Sequence, residues 1–180
     1  MRATGIIRRI DELGRIVIPK EIRRTMRIHE GDPLEIFTDR EGEIILKKYS
    51  PIGELGPFAE EYAEALAQVM DCIVCITDYD QIIAASGRGS KEFVGKEINR
   101  ELENLISRRE NRTAVGRDFV KLVKDDRYLY QSQIIQIIIC EGDAVGSVIL
   151  IGAEHDFEAG EAEIKAARIA ARFLGKQMEQ

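Results

Sequence analysis

The sequence predicts an α+β protein in two parts, a small β-rich N-terminal part and a larger C-terminal part whose antiparallel sheet is flanked by helices. Short Ile- and Val-rich runs alternate with Gly-containing turns over residues 1–48, which is typical of strands. Ser50-Pro51 interrupts this pattern, and an amphipathic helical repeat follows. Charge divides at the same point, with 11 basic and 9 acidic groups in residues 1–48 against 15 and 23 in the rest. We therefore expect domains at residues 1–50 and 57–180, joined by a junction at 51–56.

The N-terminal part is predicted to contain four short strands and one helix. Asp at the first position and Gly at the fourth suit a type I turn at residues 11–14. Pro19 cannot continue a central strand but suits the first position of a helix. The predicted order is strands at 3–10 and 14–18, a helix at 20–26, a turn at 29–33, and strands at 34–38 and 43–48.

The small size of this N-terminal part predicts that it does not fold alone. About 50 residues rarely support an independent hydrophobic core. The apolar side chains also lie on short strands, whose edges must be covered. Pairing two copies of the chain solves both problems, so we expect an obligate homodimer.

Positive charge is concentrated in the first 27 residues, which hold eight Arg or Lys and three acidic groups in a chain of net charge −6. An acidic protein with such a basic segment is expected to direct it at an anionic partner. The alternative is an ordinary solvated surface, or ion pairs within the chain to Asp11, Glu12 and Glu21.

The C-terminal part is predicted to begin and end with a helix. The first helix, at 57–70, has an apolar stripe formed by Phe58, Tyr62, Leu66 and Val69. The last helix, at 158–178, has a polar stripe formed by Glu161, Lys165, Arg168, Arg172 and Lys176. Between them we predict strands at 72–77 and 81–85, a Gly- and Ser-rich loop at 86–90, one or two helices at 92–109, and strands at 119–123, 129–140 and 145–151.

Both terminal helices of this part are also candidates for contact with a second copy of the chain. The small side chains around Ala167 and Ala171 leave room for a closely approaching helix. A second dimer contact, distinct from the N-terminal one, would link dimers into a homotetramer.

The three cysteines, Cys72, Cys75 and Cys140, form an odd set, which argues against a disulfide framework. The CxxC spacing at 72–75 invites a zinc or redox interpretation, but no second CxxC follows and His29 and His155 are the only histidines. We interpret the cysteines as core residues and predict no catalytic residues, no metal and no cofactor.

Membrane insertion is not expected, because the sequence has no run of about 20 apolar residues. The N-terminus does not read as a signal peptide, since Arg8, Arg9, Asp11 and Glu12 occupy the place of an apolar segment. We expect a cytoplasmic protein.

The run from Thr4 to Pro19, followed by Glu21-Ile22-Arg23-Arg24-Thr25, resembles the AbrB-type swapped-hairpin DNA-binding family. Gly31 to Ile36 and Ile44 to Tyr49 continue the resemblance. It implies an intertwined β dimer in which two chains interleave their hairpins, with double-stranded DNA as the partner. The DNA-binding residues that it implies are Arg8, Arg15, Arg23 and Arg24, with Arg9 and Lys20 as helpers. We expect an ordinary solvated surface role for the remaining cations of this part, Arg2, Arg27, Arg40, Lys47 and Lys48.

The order of elements after residue 57 resembles a GAF domain, which implies a fold for oligomerisation and for sensing a small effector of unknown identity. The two domains together resemble bacterial transcription regulators of the developing spore, activators and repressors that associate with the nucleoid. Candidate polar groups for an effector or a cation are Asp78, Asp80, Asp125, Asp126, Tyr128, Tyr130 and the loop 86–90. Two alternatives stay open: an antitoxin, because AbrB-type domains also occur there, and a cysteine-dependent GAF-like reductase.

Overall fold

The computed structural model describes residues 5–126, 130–152 and 157–179. The chain divides into two compact units between Tyr49 and Ser50. The first contains α1 (Lys20–Thr25), β1 (Leu34–Thr38) and β2 (Ile44–Lys48). The second contains α2 (Pro51–Glu54), α3 (Gly56–Met70), β3 (Ile73–Thr77), β4 (Ile82–Ser86), a 3-10 turn (Ser90–Glu92), α4 (Arg100–Arg108), β5 (Arg112–Val115), β6 (Ser132–Cys140), β7 (Asp143–Gly152) and α5 (Glu161–Gln177).

The first unit contains one regular hairpin, in which β1 and β2 pair antiparallel with Ile36 opposite Leu46. The predicted strands at 3–10 and 14–18 are not formed, since residues 5–10 and 15–18 have no strand pairing; residues 3 and 4 lie outside the described residues. A strand exists only when a neighbouring strand accepts its backbone hydrogen bonds. Among the described residues neither segment is paired as a strand, which is what a fold completed by a second chain requires.

Hydrophobic burial is nearly absent from the first unit. Among residues 5–49 only Pro19 is buried, while Ile7 is 88% exposed and Ile36 is 67% exposed. A hydrophobic set that remains in water contributes nothing to stability until a second surface covers it. The unit therefore lacks a core of its own, as the length of the segment predicted.

The second unit is a five-stranded antiparallel sheet of order β4-β3-β7-β6-β5. One hydrophobic core joins the sheet to α3 and α5, and a second core joins the opposite face to α4 and to the segment 118–126. Because both faces are covered, β3 is buried along its whole length. This is the GAF-like architecture that was predicted, a sheet flanked by helices.

Two local predictions in this unit were wrong. Residues 119–123 do not form a strand. Val120, Leu122 and Val123 are buried as expected, but the segment crosses the face of the sheet irregularly. The strand beside β6 at the edge of the sheet is β5 instead. Residues 51–54 were predicted as a break, yet they form a helical turn. Pro51 is tolerated there because it begins the helix, and Ser50 Oγ accepts from the Gly53 amide.

The alanines of α5 lie on its inner face. Ala167 and Ala171 are buried against the sheet of their own chain, so they do not receive a partner helix as predicted. Their small size serves the same purpose within the chain, because α5 approaches β6 closely: a Cβ on Gly175 would lie 2.1 Å from the Ile139 carbonyl oxygen. The exposed apolar residues of α5 are instead Ile169 and Phe173.

Candidate nucleic-acid interface

The tip of the N-terminal basic segment is a tight turn organised by Asp11. The Gly14 amide donates to the Asp11 carbonyl at 3.0 Å, and the Asp11 amide donates to the Arg15 carbonyl at 3.1 Å. Gly14 has φ +75°, a conformation that glycine adopts at little cost. These bonds close the predicted turn at residues 11–14, and a residue with positive φ at its end is common in three-residue hairpin loops.

Arg15 is fixed to this turn by the Asp11 carboxylate. Its amide donates to Asp11 Oδ1 at 2.8 Å, and its Nε donates to Oδ2 at 2.8 Å. The amide and then the guanidinium of Arg15 lower the pKa of Asp11 below its usual value of 3.8. Since only Nε is used, the guanidinium keeps its terminal nitrogens for a further acceptor. The sequence suggested this ion pair only as an alternative to DNA binding, but the geometry makes the two compatible.

Helix α1 presents Lys20, Arg23 and Arg24 to solvent. Pro19 lies at the N-cap, one position earlier than predicted, and the Arg23 amide donates to its carbonyl at 2.9 Å. The helix ends at Thr25, and the Ile28 amide reaches back to the Arg23 carbonyl at 2.8 Å. No residue of α1 is buried, so its side chains are placed by the backbone rather than by packing. Arg23 and Arg24 diverge by about 100° around the axis.

The six predicted DNA-binding residues, Arg8, Arg9, Arg15, Lys20, Arg23 and Arg24, are all exposed. Among the described residues, Arg15 alone of the six lies in an ion pair. The other five cationic side chains are exposed and lie in no ion pair among the described residues. Such a surface suits phosphate contact, which is charge-driven and independent of sequence.

Lys48 departs from the prediction that it is merely solvated. Its Nζ donates to the Arg27 carbonyl at 2.8 Å and lies 3.4 Å from Asp32 Oδ2. It therefore joins the end of β2 to the segment after α1, and it helps to fix the position of the helix. Lys47 lies over the Phe37 ring, 4.6 Å from its centroid.

The groups suggested for an effector in the second unit mostly have structural partners. Asp78 Oδ1 accepts from the amides of Asp80 and Gln81, and its Oδ2 accepts from Ser50 Oγ. Asp126 Oδ2 accepts from the Leu122 amide and from the Tyr130 hydroxyl. Tyr128 lies outside the described residues. The loop 86–90 is packed on β3, since a Cβ on Gly87 would lie 2.4 Å from the Cys72 carbonyl oxygen.

All three cysteines are buried and free, as expected of core residues. Burial raises the pKa of Cys72 to about 12 and also raises the pKa of Cys75 and Cys140. A thiol becomes nucleophilic only as the thiolate, so these groups are unreactive at neutral pH. His155 lies outside the described residues. Over the described ranges, no cluster of three or more His, Cys, Asp or Glu is arranged to hold a metal ion.

No helix in the described part of the chain is both long and apolar enough to cross a membrane.

Two family profiles match the chain, and they meet at residue 54, a few residues after the boundary between the units. Residues 54–179 match the family described as stage V sporulation protein T C-terminal, transcription factor. Residues 7–54 match the family described as antidote-toxin recognition MazE, bacterial antitoxin. The antitoxin match covers most of the first unit and the first five residues of the second.

Similar proteins support the same division. Stage V sporulation protein T of Bacillus subtilis (strain 168) is 49% identical over 180 residues, which is 100% of both chains. The transition state regulatory protein AbrB of the same organism is 63% identical over 105 residues, 58% of this chain and 97% of that protein. The GAF domain from Acinetobacter phosphoenolpyruvate-protein phosphotransferase superposes with a TM-score of 0.57 at 12% identity, covering 73% of this chain and 84% of that one. This last similarity shows the GAF-like fold alone.

Proposed function

The chain belongs to the stage V sporulation protein T family of bacterial transcription regulators, and we propose that it contacts promoter DNA through Arg8, Arg9, Arg15, Lys20, Arg23 and Arg24. Its first unit is an AbrB-type DNA-binding domain. The observation that supports the proposed surface most strongly is the exposure of these cations without acidic partners, Arg15 excepted.

Two positions on this surface suit different tasks. Arg15 is held at the turn by Asp11, so its terminal nitrogens are presented in a fixed direction. A planar guanidinium held in this way can donate two bonds to a phosphate or to the O6 and N7 atoms of guanine. Arg23 and Arg24 point in different directions from α1 and therefore reach different phosphates or bases. Arg8 supplies a further contact to the duplex, and Arg9 and Lys20 add longer-range attraction to the backbone.

The proposed DNA-binding form is an intertwined dimer. Residues 5–18 form no strand within one chain, and among residues 5–49 only Pro19 is buried. Two interleaved hairpins would pair these segments and cover their Ile and Val side chains. The same pairing would place two copies of the six cations on one assembly, which doubles the charge that meets the duplex.

An alanine scan of the six positions tests the surface. The full-length protein is titrated against a duplex that it selects from a random pool, with Arg40→Ala as the matched control. Arg40 lies in the turn after β1, exposed and outside the proposed surface. Arg15→Ala and Arg24→Ala should each weaken binding by about tenfold, because each change removes two charge-assisted contacts per dimer. If Arg40→Ala lowers the affinity for the duplex as much as the six alanine substitutions do, the proposed surface is contradicted.

A second contact between chains is proposed through α3 and α5, linking two dimers into a homotetramer. Val69 on α3 is 77% exposed, and Ile169 and Phe173 on α5 are 65% and 40% exposed. Phe173 stacks on Tyr62 of α3 with ring centroids 5.5 Å apart, so the two helices share one apolar outer face. A second copy of the same face is its fitting occupant, because two-fold contacts of this kind close without leaving further faces open.

The proposed function involves no catalysis, and the buried thiols support this proposal against a cysteine-dependent reductase. The antitoxin alternative rests on the match to residues 7–54, which leaves the sheet of the second unit uncovered. An antitoxin needs a segment that folds on a toxin, whereas residues after Ser50 already form a sheet covered on both faces. We place the protein in the cytoplasm with the nucleoid, in the developing spore.

A further inference from the structure

A groove of about 540 Å³ lies beside α5, between this helix and the β5 side of the sheet. Its polar wall consists of Arg168, Arg172 and Lys176 from α5 and of Asn111 and Gln136 from the sheet side, with Glu179 just beyond the helix. It is on the sheet face that carries α3 and α5, opposite the face covered by α4. None of the proposed DNA-binding residues lines it.

The three cations project along one side of α5 because they follow one another at intervals of four residues. Lys165 continues the same stripe but pairs with Glu161 at 2.6 Å. Among the described residues, no carboxylate lies within ion-pair distance of Arg168, Arg172 or Lys176. Glu179 lines the groove near Lys176, so the uncompensated charge is greatest around the two arginines.

Gln136 supplies an independent observation. It is a β6 residue only 5% exposed, and it lies between Ile134 and Ile138, which pack into the core beneath α5. Its side-chain amide has no hydrogen bond to any of the described residues. Those residues also contain no fully enclosed side-chain nitrogen or oxygen without a partner, so the amide of Gln136 opens into the groove. The amide of Gln136 is therefore held by a largely buried side chain and is available to a molecule bound in the groove.

We propose that this groove binds a phosphate-bearing small molecule of about nucleotide size. Arginine forks bind phosphate oxygens bidentately, which places the phosphate at Arg168 and Arg172, away from Glu179. The amide of Gln136 and the free NH2 of Asn111, whose Oδ1 accepts from the Ile137 amide at 2.8 Å, then meet the polar, uncharged part. The volume falls in the range of small-molecule pockets, about 300–1,000 Å³, and a lone phosphate would leave most of it empty.

Isothermal titration of the full-length protein tests the proposal, with ADP and pyrophosphate as phosphate-bearing probes and adenosine as the neutral one. ADP should bind, and Arg172→Gln should weaken it by about tenfold. Gln136→Leu should weaken ADP binding more than pyrophosphate binding. Lys165→Gln, which removes a charge from the same stripe outside the groove, should change affinity by less than about twofold. Glu179→Gln should tighten binding, since it removes the carboxylate from the wall.

Three results would overturn the proposal. One is no heat from ADP or pyrophosphate up to about 5 mM. Another is equal loss in Arg172→Gln and Lys165→Gln, which would mean attraction by general charge. The third is that Arg172→Gln loses duplex binding while the wild type does not bind ADP. That result would mean that these cations contact DNA. Thermal melting of each variant establishes that the second unit is still folded.

Discussion

The side chain of Arg15 and the carboxylate of Asp11 form a closed pair across the N-terminal turn, with Nε donating to Oδ2 and the Arg15 amide donating to Oδ1, both at 2.8 Å. The Leu13 amide also donates to Oδ1 at 3.0 Å. One carboxylate thus organises the turn and directs the arginine that we place on DNA. Asp11 is a positioning residue that the sequence offered only as a competitor for Arg15.

This pair predicts a specific change in the titration of Asp11. The pKa of Asp11 lies below 3.8 because the amide of Arg15 and then its guanidinium donate to the carboxylate. Arg15→Ala keeps the amide and removes the guanidinium, so it should raise the pKa of Asp11 only part of the way toward 3.8. Arg9→Ala, at a cation that does not touch Asp11, should leave it in place. Carbon-detected NMR titration of the carboxyl group measures both, and an unchanged pKa in Arg15→Ala would contradict the pairing.

The same shift fixes the sign of a pH effect on the turn. The folded pKa of Asp11 is depressed, so its contribution to stability is fully present above 3.8 and is lost as pH falls through the lower, folded value. Arg15→Ala should therefore reduce the dependence of the unfolding free energy on pH in the acid range by the share that the guanidinium contributes. The contribution is small, since the pair is exposed to solvent.

The missing core of the first unit predicts that its stability depends on concentration. A fragment of residues 1–55 should be a dimer at micromolar concentration, and its melting temperature should rise with protein concentration. Ile36→Glu, at a side chain 67% exposed in one chain, should prevent folding of the fragment if a partner covers that position. A folded monomer in analytical ultracentrifugation would contradict the interleaved dimer.

Thiol chemistry separates a regulator from a cysteine-dependent enzyme. Native protein should react with an aromatic disulfide reagent slowly or not at all, because burial raises the pKa of all three thiols, that of Cys72 to about 12. Denaturation should release all three thiols. One thiol that reacts rapidly in native protein at pH 7 would contradict this account and reopen the reductase alternative.

The proposed tetramer depends on the outer face of α3 and α5. Light scattering should give a mass near four chains, and Phe173→Glu or Val69→Glu should reduce it to two, because a charge would be buried at the contact. Val115→Glu, at a β5 side chain 60% exposed and away from these helices, is the control. A mass near two chains for the wild type across the micromolar range would contradict the tetramer.

Much of the second unit could be predicted from the sequence, because the period of its apolar residues sets which face is buried. The strands β3, β6 and β7 and the helices α3 and α5 were found in this way. The strand predicted at 119–123 was wrong, since a short apolar run is equally compatible with a strand and with a buried irregular segment. The role predicted for Ala167 and Ala171 was wrong for another reason: small residues permit close approach but do not show whether the sheet or another chain approaches.

The site was partly predictable as well. The excess of positive charge in the first 27 residues marks the surface, and the AbrB resemblance selects six of its cations. The sequence could not show that Asp11 orients the side chain of Arg15, because the contact between the two depends on the geometry of the turn. Nor could it single out Gln136, a polar residue in an apolar strand whose importance comes from the groove that α5 forms above it. The interruption of the run Ile134–Cys140 by this glutamine was the available signal.

The salt dependence of DNA binding tests the central claim most directly. With four arginines per chain on the duplex, a plot of log affinity against log salt concentration should have a slope of about −5 to −7 for the dimeric unit. Arg24→Ala should reduce its magnitude by about 2, since one contact is lost from each chain, and thermal stability should be unchanged. Arg40→Ala should leave the slope unaltered. A wild-type slope shallower than about −2, or the same slope in Arg24→Ala as in the wild type, would contradict the proposed interface.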